Sequence, residues 1–189
     1  MRILIVDDES LIRMDLRDIL ESEQHEVVGE ASNGVEAITM CKELKPDAVL
    51  MDVKMPELDG IEAARQIGFN HLAPVVLLTS YSQQDLVTKA RESGVYGYLI
   101  KPVREEQLIP TLEMACGRFL DDVKSRQQMA DLEKTLEERK IIQKATGILM
   151  DLYKIPEDEA YNRIRQLSMK KRESIVNICK LIIQQASSN

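Results

Sequence analysis

Short apolar runs alternate with amphipathic stretches along the first 112 residues of the chain. The runs are continuously apolar, which is typical of strands covered on both faces. Between them, apolar residues recur every three to four positions, which predicts helices. Repeated strand and helix units predict an α/β fold with a doubly wound, five-stranded parallel sheet. The predicted strands cover residues 3–6, 26–30, 48–51, 74–78 and 96–100, and the predicted helices lie within 11–20, 35–44, 61–67, 86–90 and 103–112.

The segment 108–152 is predicted to form one long helix, because no proline follows Pro110 within it and glycine occurs only at Gly117 and Gly147. Three apolar residues in this segment have the three-and-four spacing of a coiled-coil seam. They are Met129, Leu132 and Leu136. Because this seam spans less than three heptads, we expect a helical connector that can also pair two chains.

Two more helices are predicted after the connector. One begins at Pro156, because proline suits the first turn of a helix and three acidic residues follow it. The last helix begins at about Glu173. Together with the end of the long helix, these helices predict a small three-helix bundle. We therefore expect a first domain over residues 1–120, a helical connector over 121–138 and a helical domain over 139–189. In the helix that begins at Pro156, the predicted apolar stripe contains Ala160, Ile164, Leu167 and Met169.

Five polar residues fall where predicted strands end. They are Asp7, Asp8, Asp52, Thr79 and Lys101. Because the carboxyl ends of parallel strands share one edge of a sheet, these side chains are expected to converge there. Two carboxylates 4 Å apart repel each other by roughly 4 kcal/mol at an effective dielectric constant near 20, so three of them favour a bound divalent cation. Oxygen ligands favour Mg²⁺.

The expected magnesium ligands are the carboxylates of Asp8 and Asp52 and a backbone carbonyl near Lys54, with Asp7 acting through water. By itself, an Asp-Asp pair after a strand is more often a helix start than a metal site, since carboxylates favour helix N-termini. The joint pattern of the strand-end residues favours the metal site.

Asp52 stands alone at its strand end, which leaves one carboxylate oxygen able to attack a phosphorus atom and form an aspartyl phosphate. Lys101 is expected to neutralise one phosphoryl oxygen, and Thr79 to donate a hydrogen bond to another. The only reaction that this pattern supports is self-phosphorylation at Asp52 followed by hydrolysis. An enzymatic output is therefore not expected.

Residues 1 to about 120 resemble the flavodoxin-like receiver domain of two-component response regulators. The resemblance rests on motifs that stand in family order: Val6-Asp7-Asp8-Glu9, Met51-Asp52-Val53-Lys54-Met55-Pro56, Leu58-Asp59-Gly60, Leu78-Thr79-Ser80 and Gly97-Tyr98-Leu99-Ile100-Lys101-Pro102. It implies that Asp52 takes phosphate from a sensor histidine kinase and that Thr79 and Tyr98 form a switch pair. It also implies that the peptide bond between Lys101 and Pro102 is cis.

Charge is divided unevenly along the chain. Residues 1–120 carry 12 Lys and Arg against 21 Asp and Glu, whereas residues 139–189 carry 10 basic against 5 acidic residues. This asymmetry suggests an acidic input module joined to an output module that binds a polyanion, although a mixed charged helix face is usually only solvated. No apolar run reaches membrane-spanning length and no signal-peptide pattern is present, so we expect a cytoplasmic protein without a membrane partner.

Residues 130–186 resemble the ANTAR domain, an RNA-binding output module of transcription antiterminators. The matching residues are Leu136, Arg139, Ile142, the run from Ala145 to Met150, Glu159-Ala160, Leu167-Ser168-Met169 and Ile175 to Ile178. The chain departs from the family at Thr146, where lysine is common, and at Ser168 and Cys179, where alanine is common. The resemblance implies binding of paired RNA hairpins in a nascent leader transcript, which prevents an overlapping terminator from forming.

RNA of this kind is read through unpaired loop bases while cations contact its backbone. The three-residue run from Lys170 to Arg172 is equally well explained as a charge cluster at a helix C-terminus. The candidate RNA contacts are Arg139, Lys140, Lys144, Thr146, Arg163, Arg165, Lys170, Lys171 and Arg172.

The chain is therefore interpreted as input, connector and output. Phosphorylation of Asp52 is expected to draw Thr79 and Tyr98 inward, change the face formed by residues 84–117 and promote a homodimer that holds two hairpins. Over both halves the chain resembles ethanolamine-utilisation antiterminators of the EutV type, whose family partner is a sensor kinase. Two alternatives remain open: a DNA-binding regulator, although no clear helix-turn-helix is present after residue 155, and a protein-binding adaptor.

Overall fold

The computed structural model describes residues 1–80 and 94–186 of the chain. The predicted helix around Leu86, Val87 and Ala90 lies outside these residues. The first elements are β1 (Arg2–Val6), α1 (Ser10–Ser22), β2 (Glu26–Ala31), α2 (Gly34–Leu44), β3 (Ala48–Asp52), α3 (Gly60–Phe69), β4 (Val75–Thr79) and β5 (Gly97–Ile100). They are followed by α4 (Glu105–Tyr153), α5 (Glu157–Lys171) and α6 (Ile175–Ala186).

The five strands form one parallel sheet in the order β2-β1-β3-β4-β5. The direction in which successive strands are added to the sheet therefore reverses between β1 and β3, which makes this position the switch point of the sheet. Ligands of such sheets bind there, outside the carboxyl ends of the strands. The register aligns Val6 with Met51 and Thr79 with Ile100, so the carboxyl ends of these strands lie at one edge of the sheet. The predicted doubly wound, five-stranded sheet is confirmed.

Alternate residues of each strand enter two cores, one on each face of the sheet. On one face, Leu4 and Val49 belong to a core that α2 and α3 complete. On the other face, Ile5 and Leu50 belong to a core that α1 and the start of α4 complete. Because both faces are covered, every residue of β3 is buried, as are all residues of β1 after Arg2 and all residues of β4 before Thr79, which explains the continuously apolar runs in the sequence.

The chain forms two compact units, Met1–Lys124 and Ser125–Asn189. In the second unit, the end of α4 packs with α5 and α6 as a three-helix bundle, as predicted. Its core is built from small and aliphatic side chains: Ala145, Leu149, Ala160, Ile164, Ile178 and Cys179.

The predicted start of α5 is confirmed, since Pro156 is its N-cap and Glu157 its first residue. The predicted apolar stripe of α5 is wrong at two positions, because Leu167 is 39% exposed and Met169 is 63% exposed. Met169 follows the buried Ile164 by five residues, which places it roughly 140° around the helix from the core.

The predicted long helix is confirmed as α4, which runs without interruption from Glu105 to Tyr153. Its middle part, residues 121–137, is exposed on all sides. The seam residues Met129 and Leu132 are 64% and 61% exposed, so the pairing of two chains along them stays a prediction. No helix in the described ranges is both long and apolar enough to cross a membrane.

Candidate functional site

Three of the predicted strand-end residues meet at the carboxyl edge of the sheet. Lys101 Nζ lies 2.7 Å from Asp7 Oδ2 and 2.6 Å from Asp52 Oδ1, so one ammonium group serves two carboxylates. Asp7 is fully buried and Asp52 is 7% exposed. The predicted convergence of strand ends is therefore confirmed for Asp7, Asp52 and Lys101, which form the acid pocket.

Backbone amides fix the other oxygen of each carboxylate. The amide of Lys54 donates a hydrogen bond of 2.8 Å to Asp52 Oδ2, and the amide of Glu9 donates one of 3.0 Å to Asp7 Oδ1. Each carboxylate is thus held between a backbone donor and the shared lysine. This arrangement sets the orientation of both acids before any ligand arrives.

Burial raises the pKa of the Asp52 carboxyl above its ordinary value, and the hydrogen bond from Lys101 only partly opposes this effect. Burial alone lowers the pKa of Lys101, but hydrogen bonds to Asp52 and Asp7 outweigh it and leave that pKa raised. Lys101 therefore stays cationic.

The remaining predicted residues are more exposed than Asp7 and Asp52. Thr79 ends β4, and its carbonyl accepts a 2.8 Å hydrogen bond from the amide of Lys101. Tyr98 lies in β5 and is 50% exposed. The peptide bond between Lys101 and Pro102 is cis, as predicted. Asp8 is exposed, unlike its neighbour Asp7.

The donor set of the acid pocket fits the predicted magnesium ion. Asp7 and Asp52 share one ammonium, so the pocket keeps a net negative charge, and the next residue after Asp7, Asp8, is an exposed carboxylate. Oxygen donors of this kind suit a hard cation. Within residues 1–80 and 94–186, no three His, Cys, Asp or Glu side chains form a ready-made metal site. The ligand set of Asp8, Asp52 and the Lys54 carbonyl, with Asp7 through water, stays a prediction.

Gly60, the first residue of α3, brings that helix against the strand that carries Asp52. Its amide donates a 2.9 Å hydrogen bond to the carbonyl of Val53, and a Cβ at this position would overlap the carbonyl oxygen of Asp52. Only glycine fits this approach. The motif that contains Gly60 was found in the sequence, but its contact with Asp52 was not.

A second charged cluster near the sheet edge was missed by sequence reasoning. Glu30 of β2 accepts hydrogen bonds from Arg13 and Arg17 of α1, at 3.0 and 2.6 Å. Arg13 also donates to the carbonyl of Asp7 at 2.7 Å. Hydrogen bonding by Arg17 lowers the pKa of Glu30, and Arg13 lowers it further against the effect of burial.

In the second unit, the structure corrects one predicted RNA contact. Thr146 is 4% exposed, and its hydroxyl donates a 2.8 Å hydrogen bond to the carbonyl of Ile142. Its side chain faces the bundle core and is satisfied within α4, so it cannot meet an RNA ligand. The other predicted contacts are all exposed: Arg139, Lys140, Lys144, Arg163, Arg165, Lys170, Lys171 and Arg172.

Five of these exposed cations line two grooves of the bundle, whereas Arg139, Arg165 and Arg172 line neither. The larger groove, of about 730 Å³, is bordered by Arg163, Lys170 and Lys171. The smaller one, of about 460 Å³, is bordered by Lys140, Lys144 and Lys180. Lys180 was not predicted, because a lone lysine on the amphipathic α6 carries no distinguishing sequence signal.

Comparison with known proteins assigns families to both units. The family model of the response regulator receiver domain matches residues 3–113, and that of the ANTAR domain matches residues 130–183. The transcriptional regulatory protein PdtaR of Mycobacterium tuberculosis is 41% identical over 183 residues, which cover 97% of this chain and 89% of that protein.

Solved structures resemble the first unit. The receiver domain of a modulated diguanylate cyclase from Desulfovibrio desulfuricans is 33% identical with a TM-score of 0.60, covering 64% of this chain and 97% of that one. A chain of the CheX–CheY–BeF3–Mg²⁺ complex from Borrelia burgdorferi is 26% identical with a TM-score of 0.56, covering 59% of this chain and 86% of that one.

Proposed function

The chain belongs to the response regulators that carry a receiver domain followed by an ANTAR domain, and we propose that it couples phosphorylation of Asp52 to RNA binding. The observation that carries the first half of this proposal is the acid pocket, in which Lys101 bridges Asp7 and Asp52 at the switch point of the sheet. The second half rests on the two basic grooves of the bundle.

In the proposed reaction, a carboxylate oxygen of Asp52 attacks the phosphorus of a phosphohistidine on a sensor kinase. A phosphorus–oxygen bond forms, the phosphorus–nitrogen bond breaks, and the leaving imidazole takes up a proton. Lys101 then neutralises a phosphoryl oxygen while Thr79 donates a hydrogen bond to another. Water later hydrolyses the acyl phosphate, which releases inorganic phosphate and restores the Asp52 carboxylate, so the signal is reset.

Magnesium is the proposed cofactor, since the CheY complex from Borrelia burgdorferi contains both BeF3 and Mg²⁺. When bound, the ion supplies positive charge that offsets the charge of the phosphoryl group. Asp8, Asp52 and the Lys54 carbonyl are the proposed ligands, and Asp7 acts through water. Because Lys101 already holds Asp7 and Asp52 in place, the pocket is organised before phosphorylation.

The proposed switch follows from the charge added at Asp52. A phosphoryl group gives Lys101 and Thr79 new oxygens to contact, and Tyr98, half exposed on β5, turns inward behind Thr79. This change favours pairing of two chains along the exposed seam of Met129, Leu132 and Leu136. To shift the ratio of active to inactive protein from 1:99 to 99:1, phosphorylation must favour the active state by roughly 5.5 kcal/mol.

The proposed output is antitermination. A dimer presents two bundles and holds two hairpins of a nascent leader transcript, which keeps an overlapping terminator from forming. Linking two weak contacts raises the overall affinity by roughly 10²- to 10⁴-fold when both hairpins are engaged. The exposed cations of both grooves are proposed to contact RNA phosphates.

The proposed domain limits are residues 1–120 for the receiver domain, 121–138 for the helical connector and 139–189 for the RNA-binding domain.

A gel-shift experiment tests the RNA output directly. The protein, phosphorylated with acetyl phosphate and Mg²⁺, is mixed with a two-hairpin RNA, its DNA analogue and a two-hairpin RNA with altered loops. We expect retention of the first RNA and weak retention of the other two. Stronger binding to the DNA would instead support a DNA-binding regulator, and binding to none of them would leave a protein-binding adaptor.

A further inference from the structure

The larger groove of the bundle combines an apolar floor with a cationic rim. It lies between the end of α4, α5 and α6, and aliphatic side chains of all three helices form its floor. Leu152 and Leu181 in this floor are 68% and 46% exposed. Exposed leucines in a concave surface are costly in water, so the groove is suited to an apolar or aromatic ligand.

The charged residues at the rim of the groove indicate the charge of its ligand. Arg163, Lys170 and Lys171 border the groove, and none of the described residues that line it is acidic. In the described part of the chain, no carboxylate pairs with Lys170 or Lys171. A second copy of the groove would bring cations against cations, which disfavours face-to-face pairing of two chains. The charge therefore favours an anionic ligand.

An aromatic platform stands at one end of the groove. The Tyr153 ring is 55% exposed, and the guanidinium carbon of Arg163 lies over it, 5.3 Å from the ring centroid. Glu159 holds Arg163 in this position through a 2.8 Å ion pair. Unpaired bases stack on aromatic rings and on arginine planes, and such contacts are a main source of RNA affinity.

Resting on the RNA binding proposed above, we propose that this groove receives an unpaired loop base of the RNA, stacked on the Tyr153 platform, with Lys170 and Lys171 on its flanking phosphates. The volume of about 730 Å³ lies within the range of about 300–1,000 Å³ in which single small ligands are held. The described residues that line the smaller groove include Lys140, Lys144, Lys180 and Glu137 but no aromatic residue. We therefore expect this groove to contact backbone phosphate only.

The proposal makes the two grooves experimentally separable. The full-length protein, phosphorylated with acetyl phosphate and Mg²⁺, is titrated with a two-hairpin RNA and with the same RNA carrying abasic loops. Tyr153→Leu keeps an apolar side chain but removes the ring. Tyr161→Leu is the matched control, because Tyr161 is an exposed tyrosine of α5 outside the groove.

We expect Tyr153→Leu to weaken binding of the intact RNA about 5- to 100-fold, the effect of one stacked base, and to leave binding of the abasic RNA unchanged. Tyr161→Leu should change neither affinity. The double change of Lys170 and Lys171 to glutamine should weaken both RNAs equally and reduce the salt dependence of binding. Both lysines are exposed, so this variant keeps its fold.

Three results would overturn the proposal. If the unchanged protein binds the intact and the abasic RNA equally, the protein still binds RNA, but no loop base occupies the groove. If Tyr153→Leu binds RNA as tightly as the unchanged protein, the groove does not bind a base and is assigned to a protein partner. If this variant also self-associates less than the unchanged protein, that partner is a second copy of the chain. Failure of the unchanged protein to bind either RNA would instead refute the proposed function, and the base site with it.

Discussion

Lys101 acts as the shared counter-ion of two buried acids, and this role decides how the acid pocket responds to a metal ion. Its ammonium group lies within 2.7 Å of Asp7 and 2.6 Å of Asp52. A cation that binds the same carboxylates must tolerate this positive charge as a neighbour, and like charges at such distances repel. We therefore expect Lys101 to weaken binding of the proposed magnesium ion in the unphosphorylated protein and to prepare the pocket for phosphate.

The change Lys101→Met is expected to tighten magnesium binding several-fold, because it removes the competing charge and leaves both carboxylates to the ion. Calorimetric titration of Mg²⁺ into the unphosphorylated protein measures this effect. Lys54→Met is the matched control, since that exposed side chain makes no ion pair in the described ranges and the backbone carbonyl is retained. Equal affinities in both variants would contradict the role of Lys101 as counter-ion.

The ion pairs of Glu30 predict a pH dependence of stability. Arg17 and Arg13 lower the pKa of Glu30 from its ordinary value of 4.5. The stabilisation is therefore fully present above that value and is lost as pH falls through the lower pKa of the folded state. The pairs are partly exposed, with 29% of the Glu30 side chain accessible, so they contribute no more than about 1 kcal/mol.

Glu30→Gln should lower the free energy of unfolding of the first unit by up to about 1 kcal/mol at neutral pH. As pH falls below 4.5 and through the lowered pKa of Glu30 in the folded state, the difference between the two proteins should shrink towards zero, because Glu30 becomes protonated in both states. Urea denaturation at several pH values measures it. A difference that stays constant with pH would show that the loss comes from packing and not from charge.

At the residue scale, convergence of Asp7, Asp52 and Lys101 could be predicted because parallel strands end at one edge of a sheet. The pairing of Glu30 with Arg13 and Arg17 could not, because charged residues are frequent and nothing in the sequence marks which ones meet. The predicted RNA contact of Thr146 was wrong for a related reason. Whether a residue near the end of α4 is buried depends on which face of that helix α5 and α6 cover.

At the scale of elements, glycine has opposite effects in two helices. Gly60 begins α3 where a Cβ would overlap the Asp52 carbonyl oxygen, whereas Gly117 lies within α4 with nothing within 4 Å of its Cβ position. In an open helix interior, alanine is more stable than glycine by roughly 0.5–1 kcal/mol. The same substitution should therefore destabilise the protein at one position and stabilise it at the other.

We expect Gly60→Ala to lower the free energy of unfolding of the first unit by several kcal/mol, because α3 or the end of β3 must move. Gly117→Ala should raise it by about 0.5–1 kcal/mol. Denaturation monitored by circular dichroism measures both values. Similar stabilities for the two variants would mean that α3 moves away from Asp52 without cost, contrary to the packing described here.

The sequence predicted the elements well because their patterns are strong. Both faces of the sheet are covered, so its central strands are continuously apolar, and α4 lacks breakers after Pro110. The stripe of α5 was predicted less well. Ala160 and Ile164 are buried, but Leu167 and Met169 are exposed, because the core of a three-helix bundle occupies a narrower face of this helix than the apolar residues suggest.

At the scale of the whole molecule, one continuous helix, α4, joins two units of different charge. Residues 1–120 carry an excess of 9 acidic groups and residues 139–189 an excess of 5 basic groups. An acidic unit is a poor ligand for RNA, so we expect the proposed nucleic-acid contacts to lie in the second unit. The sequence predicted this division because it depends on composition. It could not predict the two grooves, which exist only once three helices pack.

The central claim is that the state of Asp52 controls RNA affinity, and one binding measurement tests it. The affinity for a two-hairpin RNA is measured for the full-length protein and for Asp52→Asn, each with and without acetyl phosphate and Mg²⁺. The account predicts that acetyl phosphate with Mg²⁺ tightens binding by at least tenfold in the unchanged protein and has no effect on Asp52→Asn. Equal affinity of the unchanged protein under both conditions, or equal tightening in Asp52→Asn, would contradict it.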